Sequence, residues 1–433
     1  MPRRNNRPLL SIVTSTPRVA AGLGAILICA FPILGPACAD DSEQSLATRP
    51  SLLDEPGSPK DLLRQYGILT DVWVTQVYQG LVTGEDKKTW RYGGKTDGFL
   101  KVDGEKLGLW HGLAFSAQYE HYFGQNVNGY VDAALYVNTL QGFVRQGGYH
   151  SALSMNVSQT IDDKFTISVG KFNMITAPMN TPIVGGGGWE TFMNIGLADP
   201  VTGVLPAYIV GGMATLKTDP VNLTFMLYDP RNAQSPRVVE RPFEKGVAAL
   251  LAGTVPTEIA GLNGYHTLRG IYSNKRSLDF ADLPQFALPP QAQDIDTKKG
   301  YLYISYALQQ YLVQSASDPS KGWGLFTHIG FTNGNPNPVR WSLLAGIGGN
   351  ALLPGRENDR WGIGYFHYGV SESLLGGLAA LDVNVRGESG IEAFYNYAVT
   401  PWLRLSADMQ IIEPVNRDNR RSTFMGFRLQ TKL

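Results

Sequence analysis

The chain of 433 residues balances 37 lysines and arginines against 37 aspartates and glutamates, so its formal net charge is zero. Without the four arginines of the first 18 residues, 33 basic residues remain against 37 acidic ones, and such a mildly negative chain argues against nucleic acid as a partner, which calls for a basic stripe. Only two cysteines occur, which argues against a disulfide-stapled extracellular module. After residue 39 no apolar run is long enough for a membrane-spanning helix.

The first 39 residues have the three parts of a secretory signal peptide. Four arginines and no acidic residue precede an apolar stretch at residues 19–35, and the small-residue motif A-C-A follows at 37–39. This order predicts export and cleavage after Ala39, and both cysteines would leave with the peptide. A membrane anchor fits less well, because the apolar stretch is shorter than the roughly 20 residues that span a bilayer. A lipoprotein signal ending at Cys38 would also fit the segment.

Residues 40–67 are predicted to form a polar N-terminal linker with one short helix. Ser58 fits the N-cap of this helix, Pro59 its first turn and Gly67 its end. The helix has at most two turns, so we interpret it as an accessory element and not as a domain.

From Ile68 onward the residues alternate with a period of two, which is typical of β-strands. The clearest alternating segments are 113–123, 153–161, 164–172, 220–230, 264–276, 300–314, 322–334, 359–370, 389–399, 402–412 and 421–433. The pair Asp162-Asp163 fits a tight hairpin turn between two of them. No amphipathic helices alternate with these segments, so a parallel α/β sheet is not expected.

Alternation also fits a soluble β-sandwich, but three features favour a transmembrane β-barrel over residues 68–433. Aromatic residues crowd the strand ends, as an interfacial girdle requires: Tyr301, Trp323, Trp341, Trp361, Tyr397 and Trp402. The length suits about 16 antiparallel strands with their loops. The chain also closes on a strand, and a barrel needs its last strand to pair with its first. In that strand we expect Met425, Phe427, Leu429 and Leu433 to face lipid, and Arg428 and Gln430 to face water.

Three long connections, 173–204, 229–246 and 277–298, interrupt the alternating pattern. Within the first, residues 179–194 contain four consecutive glycines, which cannot hold a strand. This segment is the best candidate for a loop that folds into the lumen and narrows it, and Trp189 stands at the end of its glycine run.

Several segments, taken in order, resemble OprB-type carbohydrate-selective porins. They are SVGKFNM at 168–174, FMN at 192–194, LTFMLYDP at 223–230, GYHTLRGIYS at 264–273, TPWLRLSADMQIIEP at 400–414 and FMGFRLQ at 424–430. The chain departs from this family in its N-terminal helix segment, where a Gly-Asp-Trp-Gly-Gly stretch is usual, and in Leu433, where Phe is usual.

The resemblance implies a barrel of sixteen strands with inward-folded constriction loops in the bacterial outer membrane. Such barrels pass glucose and other small sugars or polyols, through a pore narrowed by charged residues and an aromatic. It also implies outer-membrane lipid and lipopolysaccharide as surroundings, and barrel-assembly machinery that reads the terminal strand. A monomer and a homotrimer both fit this pattern.

Strand parity supplies the candidate pore-lining residues, because a sugar pore needs polar contacts weak enough to be released again. The candidates are Glu120, Trp189, Arg269, Glu388, Glu392, Arg404 and Asp408. The charged residues could instead form an ion-pair network that only stabilises the barrel wall. Trp189 could instead anchor its loop.

No catalytic, metal or cofactor motif stands out, and we expect the protein not to be an enzyme. The six histidines form no His-x-x-x-His pair, and no Gly-x-Ser-x-Gly elbow occurs. Residues 93–96, GGKT, resemble the end of a phosphate-binding loop, but Thr89 replaces its first glycine, so we predict a turn. The enzymatic alternative is an outer-membrane lipase-like barrel that uses an outward-facing serine together with His328 or His367. A general small-solute porin and a soluble exported β-protein that binds a polysaccharide are also compatible with it.

Overall fold

The structure is a computed structural model, and it describes residues 45–129, 133–142, 148–176, 183, 188–237, 241–287 and 297–433. The signal peptide lies outside these residues and stays a prediction. Most of the glycine run in the segment 179–194 also lies outside them.

Within the described residues, sixteen antiparallel strands close into a barrel in which β1 pairs with β16. The strands are β1 (Ile68–Thr83), β2 (Trp90–Asp103), β3 (Leu113–Gly124), β4 (Ser151–Ile161), β5 (Phe165–Asn173), β6 (Tyr208–Lys217), β7 (Asn222–Tyr228), β8 (Ala248–Ile259), β9 (Leu262–Leu278), β10 (Thr297–Gln314), β11 (Gly322–Thr332), β12 (Val339–Asn350), β13 (Arg360–Val370), β14 (Glu388–Thr400), β15 (Leu403–Glu413) and β16 (Ser422–Lys432). This confirms the predicted all-β antiparallel barrel and its strand number.

The predicted N-terminal helix is present as α1 (Pro59–Gln65). The hydroxyl of Ser58 accepts a hydrogen bond from the backbone N–H of Asp61 at 3.2 Å, which satisfies one of the free donors of the first turn. Gly67 ends the helix with φ +77°, a conformation that costs little without a side chain. In the described residues, two further α-helices, α2 (Ile195–Ala198) and α3 (Glu372–Ala379), and two 3₁₀ helices, Thr139–Gln141 and Phe280–Ala287, lie in loops. In the described part of the chain, no helix is long and apolar enough to cross a membrane.

The two ends of the barrel differ in the length of their connections. At one end the turns are short, and Asp162 and Asp163 adopt φ of 50° and 55° in the predicted hairpin between β4 and β5. At the other end lie the longer connections 125–150, 174–207, 229–247, 279–296 and 371–387. In outer-membrane barrels short turns face the periplasm and long loops face outside, so the long-loop end is the extracellular end.

The wall has an apolar outer face. Large side chains that are at least half exposed occupy outward positions all around the barrel: Val157, Leu251, Leu268, Ile363 and Phe427. In β16, Met425 and Phe427 are exposed as predicted. The expectation that Arg428 and Gln430 face water is wrong, because both point inward and are buried there. In strands β1–β4, β8, β9 and β14–β16, outward positions over the middle of the wall hold no aspartate, glutamate, lysine or arginine. A lipid-facing band of this kind is what a membrane-spanning barrel requires.

Two further local expectations are wrong. Residues 93–96 form part of β2 and not a turn, and the glycines there serve close strand packing, because a Cβ on Gly94 would lie 2.0 Å from the carbonyl oxygen of Thr75. Tyr301 does not belong to an outer aromatic girdle. Its side chain is buried in an interior cluster with Phe172 and Ile271.

Candidate pore and its constriction

The lumen has a filled side and an open side. Loop residues 133–142 and 188–207 fold inward, and most inward-facing polar residues of β14–β16 are covered beneath them; Glu392, Asn396, Gln410 and Gln430 are fully buried. Inward-facing residues along β4–β10 keep partial exposure, including Asn156, Thr215, Thr254, Thr267 and Gln309. Water and solutes can therefore reach parts of the wall formed by β4–β10, whereas most of the wall formed by β14–β16 is covered.

Trp189 belongs to the connection between β5 and β6, residues 174–207, which is called the constriction loop below, and it is only 2 % exposed. Its ring packs against Trp73 and Phe99, with centroids 5.6 and 5.9 Å apart. The ammonium group of Lys95 lies 5.0 Å from the same ring, close enough for a cation–π contact. Because neighbours cover its ring, this placement favours an anchoring role for Trp189 over stacking on a passing sugar.

Two charged side chains of the wall hold the segment 188–194 of this loop. The Glu392 carboxylate accepts hydrogen bonds from the backbone N–H groups of Met193 and Asn194. Arg428 donates to the carbonyl oxygens of Gly188 and Thr191, the latter at 2.9 Å. These contacts pair buried charges with backbone groups that would otherwise lack partners.

Asp408 and Glu388 also lie beneath the loops. The Asp408 carboxylate accepts a hydrogen bond from Gln410 at 2.8 Å, and its side chain is buried next to Glu392 on the neighbouring strand. The carboxylate of Glu388 accepts the backbone N–H groups of Ala134 and Leu135 at 2.6 and 2.9 Å. Glu388 therefore fixes the segment 133–142 in the way that Glu392 fixes the segment 188–194.

Arg404 is partly exposed near the periplasmic end of the constriction. Its Nε lies 3.1 Å from a carboxylate oxygen of Glu190 in the constriction loop. It also donates to the side-chain oxygen of Asn396 at 2.8 Å. Arg360 donates to the carbonyl oxygen of Ile183 at 2.9 Å. Arginines of β13 and β15 therefore hold the constriction loop from its periplasmic side.

Glu120 belongs to a buried polar cluster between β2, β3 and β5. Its carboxylate lies 2.6 Å from the ammonium group of Lys95, which is also 3.1 Å from Asp97. Tyr208 and the amide of Asn173 donate to the other carboxylate oxygen. With one cation between two carboxylates and further hydrogen bonds around them, the cluster stabilises the wall where the constriction loop begins.

Arg269 has a different environment, because it lines a cavity of about 460 Å³ on the open side of the lumen. Loop residues 197–200 form one side of this cavity, and the inward faces of β6–β12 form the other. The polar wall residues of the cavity are Thr224, Thr254, Tyr265, Thr267, Arg269, Ser305, Gln309, Thr327 and His328. Within the described residues, the Arg269 guanidinium has no hydrogen-bond or ion-pair partner.

Asp199 supplies the negative charge that faces Arg269 across this cavity. It follows α2 in the constriction loop, outside the membrane-spanning strands. Burial raises the pKa of Asp199 to about 7, and the positive charge of Arg269 opposes this rise. The charge balance of the cavity therefore changes near neutral pH.

Of the seven candidates, Arg269 and Arg404 have partly exposed side chains, and the other five are buried. Whether any of them contacts a sugar stays a prediction. Strand alternation did not identify Lys95 and Asp97 as inward-facing residues, because the glycines of β2 interrupt the alternating pattern. Asp199 carries no strand signal at all, so only the folded loop places it beside Arg269.

The described residues contain no group of three or more His, Cys, Asp or Glu side chains suited to a metal ion. His328 and His367 lie on opposite faces of the wall. His328 points inward and hydrogen-bonds Tyr303 at 2.8 Å, whereas His367 packs outside against Trp341, with ring centroids 4.7 Å apart. The two histidines cannot act in one site.

Comparison with known proteins agrees with this architecture. The family model for carbohydrate-selective porins of the OprB family matches residues 87–433. The high-pH structure of Pseudomonas putida OprB superposes with a TM-score of 0.73 and 18% sequence identity, covering 87% of this chain and 97% of that one. The low-pH structure of the same porin gives a TM-score of 0.53 and 15% identity, covering 89% and 99%. A comparison with curated protein sequences gives no match.

Proposed function

The chain belongs to the OprB family of carbohydrate-selective porins, and from this premise we propose that sugars cross the barrel passively along the side of the lumen lined by β4–β10. It is an outer-membrane porin for carbohydrates, and a porin is a channel rather than an enzyme. The proposal concerns the route, the contacts along it and the part played by the charged residues.

The cavity beside Arg269 is the observation that carries this route. Its volume of about 460 Å³ lies within the range typical of small-molecule sites. It is bounded by the constriction loop on one side and the barrel wall on the other, so a solute on the open side passes between this loop and the wall. On the opposite side, buried side chains fill the space between wall and loop.

The chemistry of this wall suits a neutral polyhydroxylated solute. Hydroxyl groups of Thr254 and Thr267, which lie 2.9 Å apart, can each exchange a hydrogen bond with a sugar hydroxyl. Tyr265 offers a partly exposed ring to the apolar face of a sugar. Contacts of this strength replace hydration while still allowing release, as conduction requires.

The charged residues on the filled side have a supporting part in this proposal. Glu388, Glu392 and Arg428 hold the two inward loops, and Glu120 belongs to the cluster at the base of the constriction loop. Arg404 contributes through its ion pair with Glu190. They set the width of the passage without contacting the sugar.

Export and surroundings complete the proposal. The predicted cleaved signal peptide at residues 1–39 would deliver the chain to the periplasm. Assembly machinery would then read the alternating terminal strand, and the apolar band would lie among outer-membrane lipid and lipopolysaccharide, as a monomer or homotrimer. The apolar outer face and the pairing of β16 with β1 support this interpretation.

Two tryptophan substitutions on neighbouring residues of β9 test the route. Thr267 faces the cavity, whereas Leu268 is 62 % exposed on the outer face. In vesicles containing the purified protein, Thr267→Trp should reduce glucose entry several-fold because the ring occupies the passage. Leu268→Trp should leave glucose entry unchanged because it faces lipid.

Equal glucose entry for wild type and Thr267→Trp would contradict the proposed route. A parallel series with glucose, a neutral amino acid and salt tests selectivity. Indiscriminate permeation of all three would support a general small-solute pore.

A further inference from the structure

The cavity of about 460 Å³ has an apolar surface as well as a polar one. Met174 and Leu205 of the constriction loop and Met213 of β6 line it and are partly exposed. The buried side chains of Met226 and Leu250 continue this surface on β7 and β8. All five residues belong to one interior hydrophobic cluster or pack against it. They are called the apolar roof below.

The strand register places the roof above polar residues of the same wall. Met213, Met226 and Leu250 lie opposite one another on β6, β7 and β8. Thr224 lies two residues nearer the short-turn end of β7, and Thr254 lies four residues nearer the short-turn end of β8. Leu250 and Thr254 are therefore about 13 Å apart along the strand. On its β6–β8 side the cavity is apolar towards the long loops and polar towards the short turns.

The roof keeps apolar surface open to the lumen. Met174, Leu205 and Met213 pack on the hydrophobic cluster, yet each retains partial exposure where it lines the cavity. Contact between water and apolar surface is unfavourable, and an apolar group of a bound solute removes it by covering that surface. Methionine fills irregular gaps, because its side chain is unbranched and its sulfur is polarizable. The roof therefore suits apolar groups of different shapes.

The polar part of the cavity suits an uncharged sugar. The hydroxyl groups of Thr254 and Thr267 lie 2.9 Å apart, and each can both donate to and accept from a sugar hydroxyl. Arg269 and Asp199 line the same cavity and carry charges of opposite sign. A neutral solute leaves this pair of charges balanced, whereas a charged solute would not.

We propose that the cavity binds neutral glycosides that carry an apolar substituent, such as a phenyl group, with the sugar ring at the threonines and the substituent under the apolar roof. This inference rests on the proposed porin function and names a substrate class for the same cavity. A single sugar ring is too short to contact both ends of the roughly 13 Å between Leu250 and Thr254. A sugar ring with an aromatic ring attached spans this distance.

The ion current through the purified protein in planar bilayers tests the inference, because a solute bound in the lumen obstructs the passage of ions. Phenyl β-glucoside, methyl β-glucoside and glucose are titrated separately. Phenyl β-glucoside should reach half of its maximal block at about a tenfold lower concentration than methyl β-glucoside. Tenfold corresponds to about 1.4 kcal/mol, slightly less than the full burial of a phenylalanine side chain contributes. Methyl β-glucoside and glucose should behave alike.

Two variants of Met213 locate the apolar end of the bound solute. Met213→Gln places an amide in the roof, so the half-blocking concentration of phenyl β-glucoside should rise close to that of methyl β-glucoside. The value for methyl β-glucoside should stay unchanged. Met213→Leu is the matched control, because it keeps an apolar side chain and should keep the preference. If Met213→Gln gives no conducting channel, Leu205→Gln makes the same test from the constriction loop.

The wild-type protein alone can overturn the inference. Equal half-blocking concentrations for phenyl and methyl β-glucoside would refute it, as would a current that neither glycoside reduces. A preference that survives the glutamine variant would also refute it, because the phenyl group would then bind elsewhere or enter the lipid. A failure of the porin proposal is distinguishable, because glucose would then enter vesicles containing the protein no faster than protein-free vesicles.

Discussion

Arg428 is the residue whose replacement should most clearly uncouple the constriction loop from the wall. Its side chain is 1 % exposed, and it donates to the backbone oxygens of Gly188 and Thr191 and to the hydroxyl of Ser406. A hydrogen bond from a charged group contributes about 1.5–3 kcal/mol. Glutamine can restore one of the two loop contacts, so Arg428→Gln should weaken loop docking by about 1.5–3 kcal/mol.

This loss corresponds to a docking equilibrium that is about ten- to a hundredfold less favourable. The loop remains tethered through Glu392, so we expect fluctuation of the segment 188–191 and not release of the whole loop. In planar bilayers the variant should show a larger mean conductance and more open-channel noise than wild type. In vesicles it should discriminate less between glucose and a trisaccharide.

The matched control is Arg421→Gln, which removes an exposed arginine directly before the same strand. Both variants are first checked for a folded barrel by the shift in gel mobility on heating. Unchanged conductance, noise and size discrimination in a folded Arg428→Gln protein would refute the anchoring role of Arg428.

The remaining predictions concern the cavity and the outer face. Below pH 7 protonation of Asp199 leaves Arg269 unopposed, because burial raises the pKa of Asp199 to about 7. The reversal potential in a salt gradient should therefore show stronger anion preference at pH 6 than at pH 8, and Asp199→Asn should fix the low-pH behaviour. A variant that retains the wild-type pH response would exclude Asp199 as its source. Met409 faces outward near the middle of β15, so Met409→Arg should destabilise the barrel by about 2–4 kcal/mol in urea unfolding from lipid vesicles. Unchanged stability would show that position 409 does not face lipid.

Much of the barrel could be predicted because the side chains of a strand alternate between two faces. This period identified eleven segments, the hairpin at Asp162 and Asp163, and the orientation of the terminal strand. The alternating period missed β2, because the glycines at 93 and 94, one of which packs against Thr75, suggested a turn. It also misplaced Tyr301, which was expected in the outer aromatic girdle but points inward. In both places the reason is a neighbouring strand or cluster that is distant in sequence.

The sequence by itself determined the class of the fold, the family resemblance and, outside β2 and Tyr301, the face to which the residues of the alternating segments point, because these follow from local alternation and from ordered motifs. The tertiary structure alone decided which inward charges meet water. Parity gives Glu392 and Arg269 the same inward direction, yet a loop from elsewhere in the chain covers Glu392 and leaves Arg269 beside an open cavity. Alternation fixes the direction of a side chain, whereas its exposure depends on what the rest of the chain places in front of it.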